Sequence, residues 1–322
     1  MKLLDLYYFV KPAIPHSIRL SLRAQIASRQ RRRNLDVWPI KESAAQHPIW
    51  WNGWPKGREF AFVLTHDVEG SKGLRRCRLL AELEMTLGFR SSFNFVPEGE
   101  YNTPLSLRSF LDGNGFEVGV HDLHHDGSLY RSKGEFDVAA KRINEYLTDW
   151  QAVGFRSAFM LHNLDWLKQL DVLYDASTFD SDPFEPQPDS ADTIYPFWVE
   201  RADGSGYVEL PYTLPQDSTL YLVLGENTNE IWKRKLDWVA KHGGMALVNV
   251  HPDYTSFGDT VEQAEFPVEL YEEFLTYVSS EYGTTAWCAL PRSVAQHAKD
   301  SVLAASHPCS NESACIRANG SE

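Results

Sequence analysis

The stretch "FAFVLTHDVEGSKGLRRCRLLAELEMTLGFRSSFNFV", residues 60–96, sets two short apolar runs on either side of a segment with helical spacing. The runs at 60–65 and 91–96 are rich in aromatic and β-branched residues, as strands are. Between them, "GLRRCRLLAELEMTLG" repeats its apolar residues every three or four positions, as an amphipathic helix does. Strand, helix and strand in turn read as a parallel α/β unit. The alternation continues outward. Strand candidates follow at 116–121, 155–160, 173–177, 207–212, 246–251 and 284–290, with helical patterns such as "KGEFDVAAKRINEYLTDWQAVG" and "TNEIWKRKLDWVAKHGG" between several of them. Seven or eight strands over this length predict a parallel α/β barrel rather than an open sheet.

The rest of the composition bounds what such a barrel does. The chain has 322 residues, 43% hydrophobic and 23% charged, which suits a globular enzyme-sized protein. Its net charge of −13 is unevenly placed: residues 1–34 carry eight Lys/Arg against Asp5, or +7, so the remainder carries −20. An acidic body argues against nucleic acid as a partner. The basic segment "HSIRLSLRAQIASRQRRR" spaces Ile18, Leu22 and Ile26 for a helix. It has two readings: packing onto its own acidic domain, or peripheral contact with an anionic membrane through residues 16–33. The first twenty residues lack the pattern of a secretory signal. Four scattered cysteines, Cys77, Cys288, Cys309 and Cys315, suit reduced thiols rather than a disulfide framework. The expected location is therefore cytoplasmic, with the basic helix able to bring the protein to the inner membrane surface. The expected organisation is a basic helical extension over 1–55, a barrel over 56–300 and a polar tail over 301–322.

In parallel barrels, chemistry collects at the C-terminal ends of the strands. Asp67 and Glu69 follow the first strand, His121 ends the third, Arg156 lies in the fourth and His251 ends the seventh. In "VHDLHHDG", His121 and His125 are four apart, so one helical turn would face both imidazoles the same way; His124 offers a competing pair with His121. Two histidines and a carboxylate leave a divalent cation, zinc foremost, an open position for water. In an extended "DVE", Asp67 and Glu69 point to the same side. One carboxylate would then bind metal and the other act as base. His251 in "LVNVHPDY" offers a second proton carrier, and Arg156 a charge that keeps the base ionised.

These segments, "LTHDVEG", "HDLHH", "GFRSAF", "LYDAS" and "LVNVHPDY", in this order over roughly 58–292, resemble the successive motifs of the polysaccharide deacetylase (NodB-homology) family of carbohydrate esterases. The resemblance implies a distorted barrel and metal-dependent removal of acetyl groups from N-acetylated polysaccharide or oligosaccharide. It implies Asp67 as base, Arg156 as its steering partner, His251 as general acid, and Glu69, His121 and His125 as metal ligands. The first motif departs from the commoner adjacent aspartates and looks closer to a variant Asp-x-Asp branch, with Glu69 one methylene longer. Asp122 stands where Ser or Thr is usual, and Ala158 and Phe159 replace the usual Pro and Tyr. A backbone amide near Phe159 would still serve the substrate's oxygen. Asp175 and Asp217 are candidates to orient His251 or Arg156, or else turn-forming residues. The Pro-rich acidic loop "STFDSDPFEPQPDSAD", 177–192, is expected to wall a groove or form a lid. Trp50, Trp51 and Trp54 either stack on sugars or pack on the barrel. Two alternatives stand beside the deacetylase: an amidohydrolase opening a small cyclic or ureido amide, and a non-catalytic carbohydrate-binding protein.

Overall fold

The computed structural model describes residues 16–306. Strands run in chain order as β1 (Phe60–Val68), β2 (Ser92–Phe95), β3 (Glu117–His121), β4 (Gly154–Arg156), β5 (Tyr174–Asp175), β6 (Phe197–Glu200), β7 (Gly206–Glu209), β8 (Met245–Asn249), β9 (Thr255–Ser256), β10 (Phe266–Pro267) and β11 (Ala286–Cys288). All eight expected strands are there, and every pairing among them is parallel. β1 is the hub, pairing β8 along residues 61–65, β11 at 60–62 and β2 at 65–68. From β2 the sheet continues through β3, β4, β5 and β7 to the edge strand β6. β6 is antiparallel and was not expected, because four residues directly behind a Pro-rich loop carry too little alternation to register as a strand. The sheet curls into an incomplete barrel. Past β7 the chain reaches back to β8 through Thr213, whose N–H donates to Leu247 O at 3.2 Å and whose Oγ1 accepts from Leu247 N at 3.0 Å.

Helices cover the outside: α1 (His16–Arg33), α2 (Ser71–Leu87), α3 (Leu105–Gly113), α4 (Lys133–Trp150), α5 (Leu164–Leu167), α6 (Glu230–His242), α7 (Val268–Tyr282) and α8 (Pro291–Ser306). α4 begins with an N-cap, in which the Ser132 hydroxyl accepts from Glu135 N at 3.2 Å while donating to Glu135 Oε2 at 3.0 Å. α2 has no side-chain cap of its own. Asp253, from the loop after β8, accepts instead from Gly70 N and Gly73 N at 3.0 and 2.9 Å. Gly73 must be glycine for this, since a Cβ there would lie 2.0 Å from Asp253 Oδ2.

The pleat sorts each strand's residues between two environments. On β1, Phe60, Phe62 and Leu64 face the outer core beneath α2 and α7, whereas Ala61 and Val63 face the barrel interior with Met245, Leu247, Val208 and Leu210. Fully burying each large side chain of these cores contributes about 1.5–3 kcal/mol. Continued along β1, the inward register becomes polar: Thr65 and Asp67, then Glu69. On β8 it runs Leu247, Asn249, His251. An apolar plug therefore fills the lower barrel and polar side chains converge at its mouth.

Trp54, 6% exposed, belongs to the interior cluster, and its indole N–H donates to Gly243 O at 2.8 Å. Trp50 and Trp51 stack edge-on in series with it. Packing accounts for this cluster. α1 falls within the expected basic helix; Ala27 is buried, Ile26 is exposed and Arg31 pairs with Glu226. The side chains of Ile18 and Leu22, residues 1–15, and the tail with Cys309 and Cys315 lie outside the described residues. Cys77 and Cys288 are free thiols.

Candidate active site

Four inward-facing strand ends and the loops after them enclose a cavity of about 240 Å³ lined by Asp67, Glu69, His121, Phe159, His251 and Tyr254, among others. Asp67 lies on its floor, 2% exposed. Its Oδ1 accepts from Asn94 Nδ2 at 2.9 Å and its Oδ2 from Asn249 Nδ2 at 2.8 Å. Arg156 is wholly buried, with Nη1 3.4 Å from both Asp67 oxygens and donating to Thr65 Oγ1 at 2.8 Å. Burial works against charge on Asp67, but Arg156, His121, His251 and the Asn94 hydrogen bond hold the carboxyl well below the usual carboxylate range. Gly119 makes the Asn94 contact possible, because a Cβ there would meet Asn94 Oδ1 at 2.2 Å.

Glu69 emerges two residues beyond Asp67, on the same side, as the pleat requires. Its Oε2 accepts from the Tyr254 hydroxyl, and its backbone N–H is held by Asp253 Oδ2 at 2.9 Å. Its pKa is lowered to about 2: burial opposes ionisation, but His125, His251 and Tyr254 outweigh it. Glu69 Oε1 lies 3.3 Å from His125 Nε2.

The histidine pair is not on a helical turn. His121 is the last residue of β3, and residues 122–127 form an irregular loop. Four residues with side chains take left-handed φ around the site: Asp122 at 55°, His125 at 56°, Phe159 at 57° and Met160 at 52°. Such conformations cost of order 1–3 kcal/mol each and persist only where the surroundings impose them. Asp122 bonds both loops that carry these residues. Its Oδ1 accepts from Leu123 N at 2.6 Å and its Oδ2 from Ala158 N at 3.2 Å, tying the two loops together. The result places the His121 and His125 rings 4.9 Å apart, with Phe159 against His125 at 4.8 Å. His124 turns outward to Glu98.

His121 Nδ1 donates to Arg156 O at 3.0 Å, which leaves its Nε2 with a lone pair. That Nε2 and the Nε2 of His125 are both buried without a hydrogen-bond partner. Buried polar atoms are otherwise paired in folded proteins, so two bare imidazole nitrogens aimed at one point need a third party. Together with a Glu69 oxygen they lie within 4.8 Å of one another. Two nitrogens and one carboxylate oxygen fit a divalent cation of zinc type and leave it an open position.

Across the cavity, His251 Nδ1 donates to Asp217 Oδ1 at 2.6 Å while Asp217 Oδ2 accepts from the His251 backbone N–H at 2.7 Å. His251 Nε2 therefore faces the carboxylates, 4.0 Å from Asp67 and 3.8 Å from Glu69. Burial disfavours its charge, yet Asp217, Glu69 and Asp67 raise its pKa to about 10.

Of the two candidate orienting aspartates, Asp217 is beside His251 and Asp175 is not. Asp175 sits between inward-facing Tyr174 and Ala176, so it points to the outer face of the sheet. There it accepts from Ser177 and faces Glu209, its register partner on β7. Asn94, Asn249, Asp253 and Tyr254 were not singled out from the sequence. The two asparagines carried a signal: each is a lone amide inside an apolar strand run, in "SSFNFV" and "LVNVHP". Phe184, Glu185 and Pro186 of the Pro-rich loop line the cavity, so this loop is one of its walls.

No protein-family model matches the chain, and no curated protein matches its sequence. Solved structures do. A protein described as "putative polysaccharide deacetylase from Mycobacterium smegmatis" superposes with a TM-score of 0.59 at 18% identity, covering 80% of this chain and 96% of that one. PuuE allantoinase superposes with a TM-score of 0.57 at 15% identity, covering 80% and 94%. At these identities the likeness shows the fold: this chain has the incomplete (β/α) barrel of both proteins.

Proposed function

We propose that the protein is a metal-dependent hydrolase that removes N-acetyl groups from an amino sugar, in a polysaccharide or its lipid-linked precursor. The observation that carries this reading is the convergence of Glu69, His121 and His125 beside Asp67 and the His251–Asp217 pair. Glu69, His121 and His125 hold the cation, with Tyr254 and the Arg156 carbonyl orienting two of them. When bound, a divalent cation supplies Lewis-acid polarisation of an amide carbonyl and acidifies water. Asp67, kept ionised by Arg156, accepts the proton of the attacking water. A backbone amide near Phe159 stabilises charge developing on the carbonyl oxygen. His251, cationic at neutral pH, gives its Nε2 proton to the leaving nitrogen, while Asp217 fixes the ring through Nδ1.

A second reading, an amidohydrolase of a small cyclic or ureido amide, is favoured by the comparable fold likeness to an allantoinase and by the small cavity. Metal analysis paired with acetate-release assays on N-acetylated oligosaccharides and amide-opening assays on small ureides separates the two. Acetate release that thorough chelation abolishes and added zinc restores is the expected result. Turnover that survives chelation refutes the metal mechanism. We also assign peripheral contact with an anionic membrane to the basic helix, which is supported by the eight basic residues against one acidic residue over residues 1–34. Equal liposome binding by the full chain and by a chain starting at Asp36 would exclude it.

A further inference from the structure

The N-terminal segment packs against two segments that line the cavity. From the end of α1 onward, Gln30 Nε2 donates to Pro183 O at 3.1 Å and Arg31 pairs with Glu226. Trp38, 3% exposed, packs edge-on against Phe184 with ring centroids 5.0 Å apart. These contacts grip both segments that line the cavity away from its strand-borne residues. A loop supplies Phe184, Glu185 and Pro186, and the π-helical turn Ser218–Val223, shortly before Glu226, supplies Leu222 and Val223. The first loop is pinned again from behind. Asp180 forms a buried ion pair with Lys235, whose ammonium also donates to Pro39 O, and Tyr212 donates to Asp182 at 2.9 Å. Buried pairs of this kind hold a loop in one geometry, since breaking them strands an unpaired charge.

The cavity, partly open to solvent, has a volume of about 240 Å³, below the ~300–1,000 Å³ of pockets that take drug-sized ligands. Asp67, Glu69 and Glu185 line it together with His121 and His251, so hydroxyl, N–H and carbonyl groups of a sugar find both acceptors and donors there.

We propose that this site takes one acylated amino-sugar residue, free or at a chain end, and that residues 30–38 of the N-terminal segment set that limit by holding the Phe184 loop and the helical turn of Leu222 in place. The proposal rests on the deacetylase reading. It gives residues 30–38 of the extension a role in specificity beside the membrane contact assigned to the basic helix.

Calorimetric titration of the zinc-loaded full chain carrying Asp67→Asn tests it without dependence on turnover. The probes are an N-acetylated hexosamine and its fully acetylated tetramer. The expected result is binding of the monosaccharide, with the tetramer within threefold of it. Tetramer affinity tenfold or more above the monosaccharide overturns the proposal and leaves the deacetylase reading standing, because it requires an extended groove. Absence of binding by either sugar overturns that reading and the proposal together. In the otherwise wild-type chain, mass mapping of the deacetylated tetramer should find only terminal residues changed; internal deacetylation at an equal rate overturns the size limit. Trp38→Ala, and separately the surface pair Gln30→Ala/Arg31→Ala where the first does not fold, should raise tetramer over monosaccharide affinity at least threefold with zinc content unchanged. An unaltered ratio in the folded variant overturns the role of the extension.

Discussion

Glu117 stands at the start of β3, far along the strand from His121, and offers a test of the barrel's electrostatics that does not involve the candidate site. It is 2% exposed, accepts from Tyr174 OH at 2.9 Å and from Arg292 N at 3.1 Å, and has the Arg292 Nε 3.7 Å away. Burial raises its pKa to about 7, and the Arg292 amide and charge and the Tyr174 hydroxyl offset this only in part. A carboxyl that holds its proton more tightly folded than unfolded makes stability fall as pH rises. Below the unfolded value of 4.5 both states are protonated and the group contributes nothing; above about 7 both are ionised and the penalty is complete. With 1.36 kcal/mol per pKa unit, the full penalty is about 3 kcal/mol, of which about 2.5 kcal/mol develops between pH 5 and pH 8.5. Glu117→Gln keeps the shape and an acceptor for Tyr174 and removes the titration. Urea unfolding of both proteins at pH 5 and pH 8.5 reads the effect, with equal m-values as the check that only stability changed. The variant should gain about 2.5 kcal/mol on the wild type between the two pH values. A relative gain below about 0.5 kcal/mol, or a relative loss at high pH, would refute the claim that burial dominates at Glu117.

Asp67→Asn should lower turnover by about 10²–10⁴-fold while the bound metal, measured by elemental analysis, stays stoichiometric. His125→Ala should instead release the metal on dialysis, and stoichiometric metal in that variant would show that the bare nitrogens have another purpose. Asp217→Asn leaves one acceptor for two donors, the ring and backbone N–H of His251. Its kcat/KM should fall about 10²-fold or more with metal content unchanged, and an undiminished rate would remove Asp217 from the mechanism. Gly73→Ala drives a methyl into Asp253 and should cost about 1–3 kcal/mol by chemical denaturation; a neutral result would show that the loop after β8 moves freely.

The eight parallel strands were legible because each apolar run is short and bounded, and because strand and helix periods alternate plainly along the chain. The same period of two put Asp67 and Glu69 on one side, and applied to "LYDAS" it would have sent Asp175 outward, as the fold does. Order and parity are local properties, so the sequence by itself determined which strand ends carry polar side chains and which of those face inward. Tertiary structure decided the rest. No periodicity predicts the left-handed turn at His125 or the tie between its loop and Ala158, which Asp122 makes across 36 residues. No local pattern pairs Asp217 with His251, 34 residues apart, or makes Asp253 the cap of a helix that begins at Ser71. Nor does the sequence bring Gln30, Arg31 and Trp38 to the cavity wall. Those contacts exist only after the barrel curls, since curling brings loops distant in the chain to one mouth.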